Sequence, residues 1–299
     1  MSDTGGYRVV TAGDSAIIVE FDHADIYADF AAVTLAFRRL ANLVPRRGLL
    51  LIGVDSPGAR ALVDGGAVSR VQTFGTSDDS EWQAHDLEPD GPATRFKVRR
   101  KGSPFAAFEV PLVGAYNVRN ATAAIAVATE VGISVERIAD GLRAFAGVKR
   151  RLEILGTVDG VTVYDDFAHH PTAVAETLAG LRASHPNTRI WAVFEPRSAS
   201  SCRRVFQDDF ARAFGGADEV LIAPIFRSKL PESERLSIPQ LVRDLRAGGQ
   251  SAREADSIDD IVSAIASEHR PGDLVVLMSN GGFGGIHQKL LRALEPRAR

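Results

Sequence analysis

Apolar residues in this chain come in two textures that alternate along its length. Short unbroken runs at Ala16–Val19, Leu49–Val54, Ile190–Phe194 and Leu274–Met278 read as buried strands, joined by Val161–Val163 and Glu219–Ala223. Between them lie amphipathic stretches that predict helices, from about Asp29 to Leu43 and then starting near Tyr116, Ser134, Pro171, Val205, Ile238 and Ser257. A third texture fills the region from about Arg70 to Val113, where runs such as Arg95-Phe96-Lys97-Val98 alternate strictly between Gly/Pro breaks; this predicts a small antiparallel meander. Strand-helix alternation over most of the chain predicts an α/β fold, and after Gly147 a mostly parallel, doubly wound sheet. The pattern places one domain at residues 1–147 and a second at residues 148–299.

Composition narrows the function classes. The chain has 299 residues, 35 Lys plus Arg against 38 Asp plus Glu, and a net charge of −3, which argues against general nucleic-acid or membrane binding. The single cysteine, Cys202, excludes a disulfide framework and a multi-cysteine zinc site. The first twenty residues carry Asp3, Asp14 and Glu20 and no long apolar stretch, so the expected location is cytoplasmic. Lysine occurs only at Lys97, Lys101, Lys149, Lys229 and Lys289, and none sits in a G-x-x-x-x-G-K-[ST] phosphate loop.

Candidate chemistry gathers where predicted strands end. Asp165-Asp166-Phe167-Ala168-His169-His170-Pro171 joins a strand to a helix, and two carboxylates with two imidazoles are costly together unless neutralised or used. Glu195-Pro196-Arg197-Ser198 ends the next strand; its arginine suits a planar oxyanion, although a surface ion pair with Glu195 explains it equally well. Asn280-Gly281-Gly282-Phe283-Gly284-Gly285 opens the last helix and serves either close ligand approach or a tight turn. His23 among Glu20, Asp22 and Asp25 is a metal-ligand candidate or an acidic turn. Asn117 and Asn120 lie one helical turn apart, as paired amides for a purine edge or as caps. Lys149-Arg150-Arg151 marks the domain boundary as a phosphate-reaching cluster or a solvated hinge. A nicotinamide-dependent oxidoreductase is disfavoured, because the first strand-helix turn after Gly147 is rich in Asp and His rather than G-x-G-x-x-G.

Taken in order, these strings resemble the Mur ligases, the ATP-dependent amide-bond-forming enzymes of peptidoglycan synthesis. The resemblance runs from about Ala16 to the C-terminus and rests on Asp22-His23-Ala24-Asp25, Gly114-x-x-Asn117-x-x-Asn120, Arg150-Arg151-Leu152-Glu153, the double-histidine loop and the terminal glycine string. It is similar in particular to the branch that joins UDP-N-acetylmuramate to the murein tripeptide L-alanyl-γ-D-glutamyl-meso-diaminopimelate, with the branch that adds L-alanine as an alternative. The resemblance implies a central ATP-binding domain without its phosphate-loop half at residues 1–147, and a Rossmann-like C-terminal domain at residues 148–299. It further implies ATP and Mg²⁺ as cofactors and an acyl-phosphate route, with His23 as a metal ligand, Asn117 and Asn120 at adenine, Arg151 at the nucleotide and Asp166 at its ribose. His169, His170 and Arg197 would face the amine and peptide, and Asn280, Gly281, Gly282, Phe283 and Gly284 would help to hold the peptide. The different-class alternative is an inactive remnant that only binds a nucleotide or peptide.

Overall fold

The computed structural model describes residues 26–226 and 230–296, and the chain divides into two compact units between Ala146 and Gly147. The expected strand at Ala16–Val19 and the residues around His23 lie outside the described residues.

In the first unit, Asp29 caps helix α1 (Phe30–Ala41) by accepting the Ala32 N–H at 2.8 Å. Strand β1 (Leu49–Gly53) follows, then α2 (Pro57–Asp64). Proline at the first helical position costs no hydrogen bond, so the residue that looks like a breaker here starts a helix. The rest of the sheet is β2 (Arg70–Gly75), β3 (Trp82–Asp90), β4 (Ala93–Arg100) and β5 (Ser103–Val110), in the order β1-β2-β3-β4-β5. β2 pairs parallel with both β1 and β3, so the expected antiparallel meander is confined to β3–β5. Helices α3 (Ala115–Glu130) and α4 (Val135–Arg143) complete the unit. Trp82, Phe96, Val98 and Phe108 form its core with Val118, Ile125 and Ile138. The Trp82 indole N–H donates to Gln72 Oε1 at 2.9 Å.

The second unit contains β6 (Glu153–Val158), β7 (Val161–Asp166), α5 (Pro171–Ser184), β8 (Ile190–Phe194), α6 (Gln207–Ala213) and β9 (Glu219–Ile222). It continues with α7 (Ile238–Ala247), β10 (Ser251–Glu254), α8 (Ile258–Glu268), β11 (Leu274–Met278) and α9 (Ile286–Leu294). The sheet order is β10-β9-β8-β11-β7-β6, parallel except for the β6–β7 hairpin. Alternate residues of each central strand face opposite sides. Val193 packs with Ile261, Ile265, Ile286 and Leu290 of α8 and α9, whereas Phe194 meets Phe210 and Phe214 beside α6. Helices therefore cover both faces, as a parallel sheet requires. Met278 pairs with both Asp166 and Phe194, so the carboxyl ends of β7, β11 and β8 stop level and their loops stand side by side.

Candidate functional site

Three strand-end loops build the site in the second unit. Asp166, at the end of β7, is 2% exposed; its carboxylate accepts the Leu152 N–H at 2.8 Å, the Ala168 N–H at 2.7 Å and the Thr177 hydroxyl at 3.5 Å. Burial pushes its carboxyl above the ordinary range, while the two backbone donors and the nearby Arg151 charge oppose the shift. Both oxygens accept hydrogen bonds within the protein, so Asp166 anchors the segment before β6. That anchor holds an unusual segment: Arg150 and Leu152 have φ of 60° and 47°, a region that costs of order 1–3 kcal/mol per non-glycine residue. The Glu153 carboxylate accepts the Arg150 N–H, and the Arg150 carbonyl accepts from Phe167 N–H.

The fold thus turns Arg150 toward the last strand. Its Nη2 donates to the carbonyls of Ser279 at 2.6 Å and Gly281 at 2.7 Å, and its Nε lies 3.3 Å from Asp165 Oδ2. The other Asp165 oxygen is 3.1 Å from His287 Nε2 at the start of α9. Arg151 takes the neighbouring direction, its guanidinium 5.3 Å from the Phe167 ring. The Lys149-Arg150-Arg151 string did not show which arginine faces inward; only the positive φ at Arg150 decides it.

Buried Glu195, just past β8, accepts the Ser279 hydroxyl at 2.5 Å, and the same hydroxyl accepts the Gly281 N–H at 3.0 Å. Arg197 lies over this arrangement, with Nη1 3.8 Å from Glu195 Oε2 and Cζ 3.7 Å from the Phe226 ring centre. Among the described residues its guanidinium makes no hydrogen bond, which leaves its planar fork of donors available to an oxyanion. Phe226 carried no signal in the sequence beyond being an aromatic residue after a strand.

The glycine loop divides by role. Phe283 is completely buried and lies in the core cluster with Ile286 and Leu290, so its ring anchors the loop in the core. Gly284 and Gly285 have φ of 56° and 74°, the left-handed turn that starts α9. A side chain at Gly282 would enter open space, and the Asn280 Oδ1 is buried without a hydrogen-bond partner among the described residues.

His169 and His170 follow β7, both half-buried. His169 Nδ1 lies 3.0 Å from the Phe167 carbonyl, which can only accept, so Nδ1 carries a proton. His170 precedes α5 and meets the Phe206 ring edge-on at 5.2 Å. Strand order brings this pair beside the glycine loop.

In the first unit, Asn117 is buried, its Nδ2 donating to the Val113 carbonyl at 2.8 Å, and half-buried Asn120 lies one turn further along α3. A separate cleft of about 430 Å³ is lined by Val54, Asp55, Pro57, Arg60, Thr76 and Ser77. Asp55 there accepts the N–H and hydroxyl of both Thr76 and Ser77 at 2.8–3.0 Å. Partial burial pushes its carboxyl up, but these four donors outweigh it and hold the group below its ordinary value. Among the described residues no group of three His, Cys, Asp or Glu side chains is arranged to hold a metal; His23, the expected ligand, lies outside them. No helix of the described residues is long and apolar enough to cross a membrane.

Comparison with known proteins agrees with this architecture. Residues 10–128 match the Mur ligase middle domain, and residues 150–281 match the family described as "Mur ligase, glutamate ligase domain". The UDP-N-acetylmuramate–L-alanyl-γ-D-glutamyl-meso-2,6-diaminoheptandioate ligase of Escherichia coli is 38% identical over 282 residues, 94% of this chain and 59% of that protein. The UDP-N-acetylmuramate–L-alanine ligase of Agrobacterium fabrum is also 38% identical, over 290 residues, 94% of this chain and 61% of that protein. A murein peptide ligase structure from Psychrobacter arcticus superposes with a TM-score of 0.63 at 32% identity, covering 91% of this chain and 56% of that one. The chain spans about three fifths of the length of the curated relatives it matches. With two family domains matched in order and the fold shared, the chain belongs to the Mur ligase family, of which it carries the middle and C-terminal domains.

Proposed function

We propose that this chain carries the nucleotide-binding and amine-substrate-binding parts of an ATP-dependent ligase of peptidoglycan recycling, one that joins the carboxylate of UDP-N-acetylmuramate to the amino group of L-alanyl-γ-D-glutamyl-meso-diaminopimelate. The observation that carries the reading is Arg197, held at the carboxyl edge of the sheet over the glycine loop with its donors open to an oxyanion. The tripeptide bears carboxylates that suit a paired guanidinium fork. When bound, ATP with Mg²⁺ supplies the phosphoryl group that turns an unreactive carboxylate into an acyl phosphate. The residues of this chain then have separable tasks. Arg151 is the candidate for a nucleotide phosphate, Arg197 for a peptide carboxylate, and His169 for the reacting amine. Asn117 and Asn120 remain the candidates for adenine, His170 for the amine side of the site, and His23 for the metal.

A second reading has its own support, because L-alanine ligases match the same span at comparable identity and L-alanine also offers one carboxylate. Calorimetric titration of the 299-residue chain with tripeptide and, separately, with L-alanine decides between them. Tripeptide binding with no response to L-alanine is the expected result; the reverse would replace the recycling ligase with the L-alanine ligase. Arg197→Ala is expected to weaken tripeptide binding by about 2–5 kcal/mol, roughly 30-fold or more, and Arg197→Lys to recover only part of that. Because none of the five lysines sits in a phosphate loop, binding without turnover is expected of this chain alone. Amide formation by the purified chain would show that its phosphate cradle is built differently.

A further inference from the structure

Gly281 is not required by its backbone. Its φ lies outside the left-handed region, unlike that of Gly284 or Gly285, so an L-residue is conformationally acceptable there. What excludes a side chain is Arg197. A Cβ built on Gly281 would stand 2.5 Å from Arg197 Cζ and closer still to its Cδ and Nε.

The loop has little freedom to yield. The Gly281 N–H is bonded to Ser279 Oγ, which is itself bonded to Glu195, and the Gly281 carbonyl accepts from Arg150. Arg150 is in turn paired with Asp165. Both polar groups of residue 281 are therefore bonded, the N–H within its own loop and the carbonyl to Arg150, whereas Arg197 is a flexible side chain resting on Phe226. A methyl group at this position moves the arginine and leaves the loop in place.

We propose that Gly281 is a positioning residue, whose missing side chain is the seat of Arg197 and thereby decides whether a carboxylate of the amine substrate meets a guanidinium fork. The proposal rests on the assignment of Arg197 to that carboxylate. It gives the glycine string a purpose other than close approach of ligand to backbone.

The test is a double-mutant cycle on the 299-residue chain with Gly281→Ala, Arg197→Ala and both together. Tripeptide affinity is read by calorimetry, folding by Tm, and the position of Arg197 by the ring-current shift of its Hδ protons over Phe226. Gly281→Ala is expected to keep the wild-type Tm, lose tenfold or more in tripeptide affinity, and return the Arg197 Hδ resonances to unshifted positions. The double variant is expected to bind no more weakly than Arg197→Ala alone. Additive losses of affinity would overturn the proposal, as would Arg197 resonances unchanged in Gly281→Ala. Any loss of Tm in Gly281→Ala must be relieved in the double variant; an unrelieved loss also overturns it. If the wild-type chain binds no tripeptide, the functional reading of Arg197 fails, and the Arg197 resonances alone then uphold or overturn the seat.

Discussion

At the carboxyl end of the β1 region, Asp55 gathers the N–H and hydroxyl groups of Thr76 and Ser77; at the end of β7, Asp166 gathers the N–H groups of Leu152 and Ala168. Each aspartate ties its strand to the loop of a neighbouring segment. Their surroundings differ. Asp55 borders an open cleft and has four donors from one short loop, two of them hydroxyls that rotate to suit it. Asp166 is almost fully buried and has two backbone donors and a distant hydroxyl. The balance of desolvation against hydrogen bonding therefore falls on opposite sides, lowering the first carboxyl's pKa and raising the second's. The first aspartate is an electrostatic asset at neutral pH. The second is a geometric device that fixes the strained segment from which Arg150 reaches the glycine loop.

The largest effect expected from breaking this comparison is at Asp166. Asp166→Ala leaves two N–H groups without their acceptor and releases residues 150–152, a loss of about 2–5 kcal/mol. Denaturant unfolding read by hydrogen exchange in peptides of the second unit measures it. A loss below about 1 kcal/mol would mean that water replaces the carboxylate. Asp55→Ala is expected to cost less, about 1–2 kcal/mol read in the first unit, because its donors border solvent and two are hydroxyls. An Asp55 effect larger than that of Asp166 would reverse the ranking.

The smallest effect is the sharpest discriminator, because it has a sign. A depressed carboxyl stabilises above its unfolded value and loses that contribution as pH falls through the folded one. A raised carboxyl contributes most below its unfolded value and loses that contribution as pH rises. The stability gap between wild type and Asp55→Asn should therefore shrink as pH falls below about 4, and the gap for Asp166→Asn should shrink as pH rises from acid toward neutrality. Gaps that move in the same direction would show that the two aspartates are not opposites.

The sequence was informative where one strand, one loop and one helix succeed each other. Leu49–Gly53, Ile190–Phe194 and Leu274–Met278 are strands because each is a short apolar run between breakers, and the double-histidine and glycine segments fall at strand ends for the same reason. Pairing was not legible. Alternation marks β2 as a strand but carries no information on its partner's direction, hence the parallel strand inside the expected meander. β10 is a four-residue edge strand, Ser251–Glu254, with a single buried residue, too polar to stand out. Within the site, what stayed hidden were contacts across large sequence distances: Arg150 with Gly281, Asp165 with His287, and Phe226 beneath Arg197. The glycine motif also gave no sign that the Phe283 ring is a core anchor.

The sheet order of the second unit has a consequence in time. β11, the strand between β7 and β8, is the last of the sheet to be made, more than a hundred residues after β7. At a synthesis rate of 5–20 residues per second, the lane it will occupy stands empty for roughly 5–20 s. Within that interval the apolar strand Val161–Asp166, and Ile190–Phe194 once it is made, each present an unpaired edge, the kind of template on which chains adhere to one another. During biosynthesis this unit closes from its middle, and a nascent chain released before Leu274 keeps two sticky edges and lacks the glycine loop.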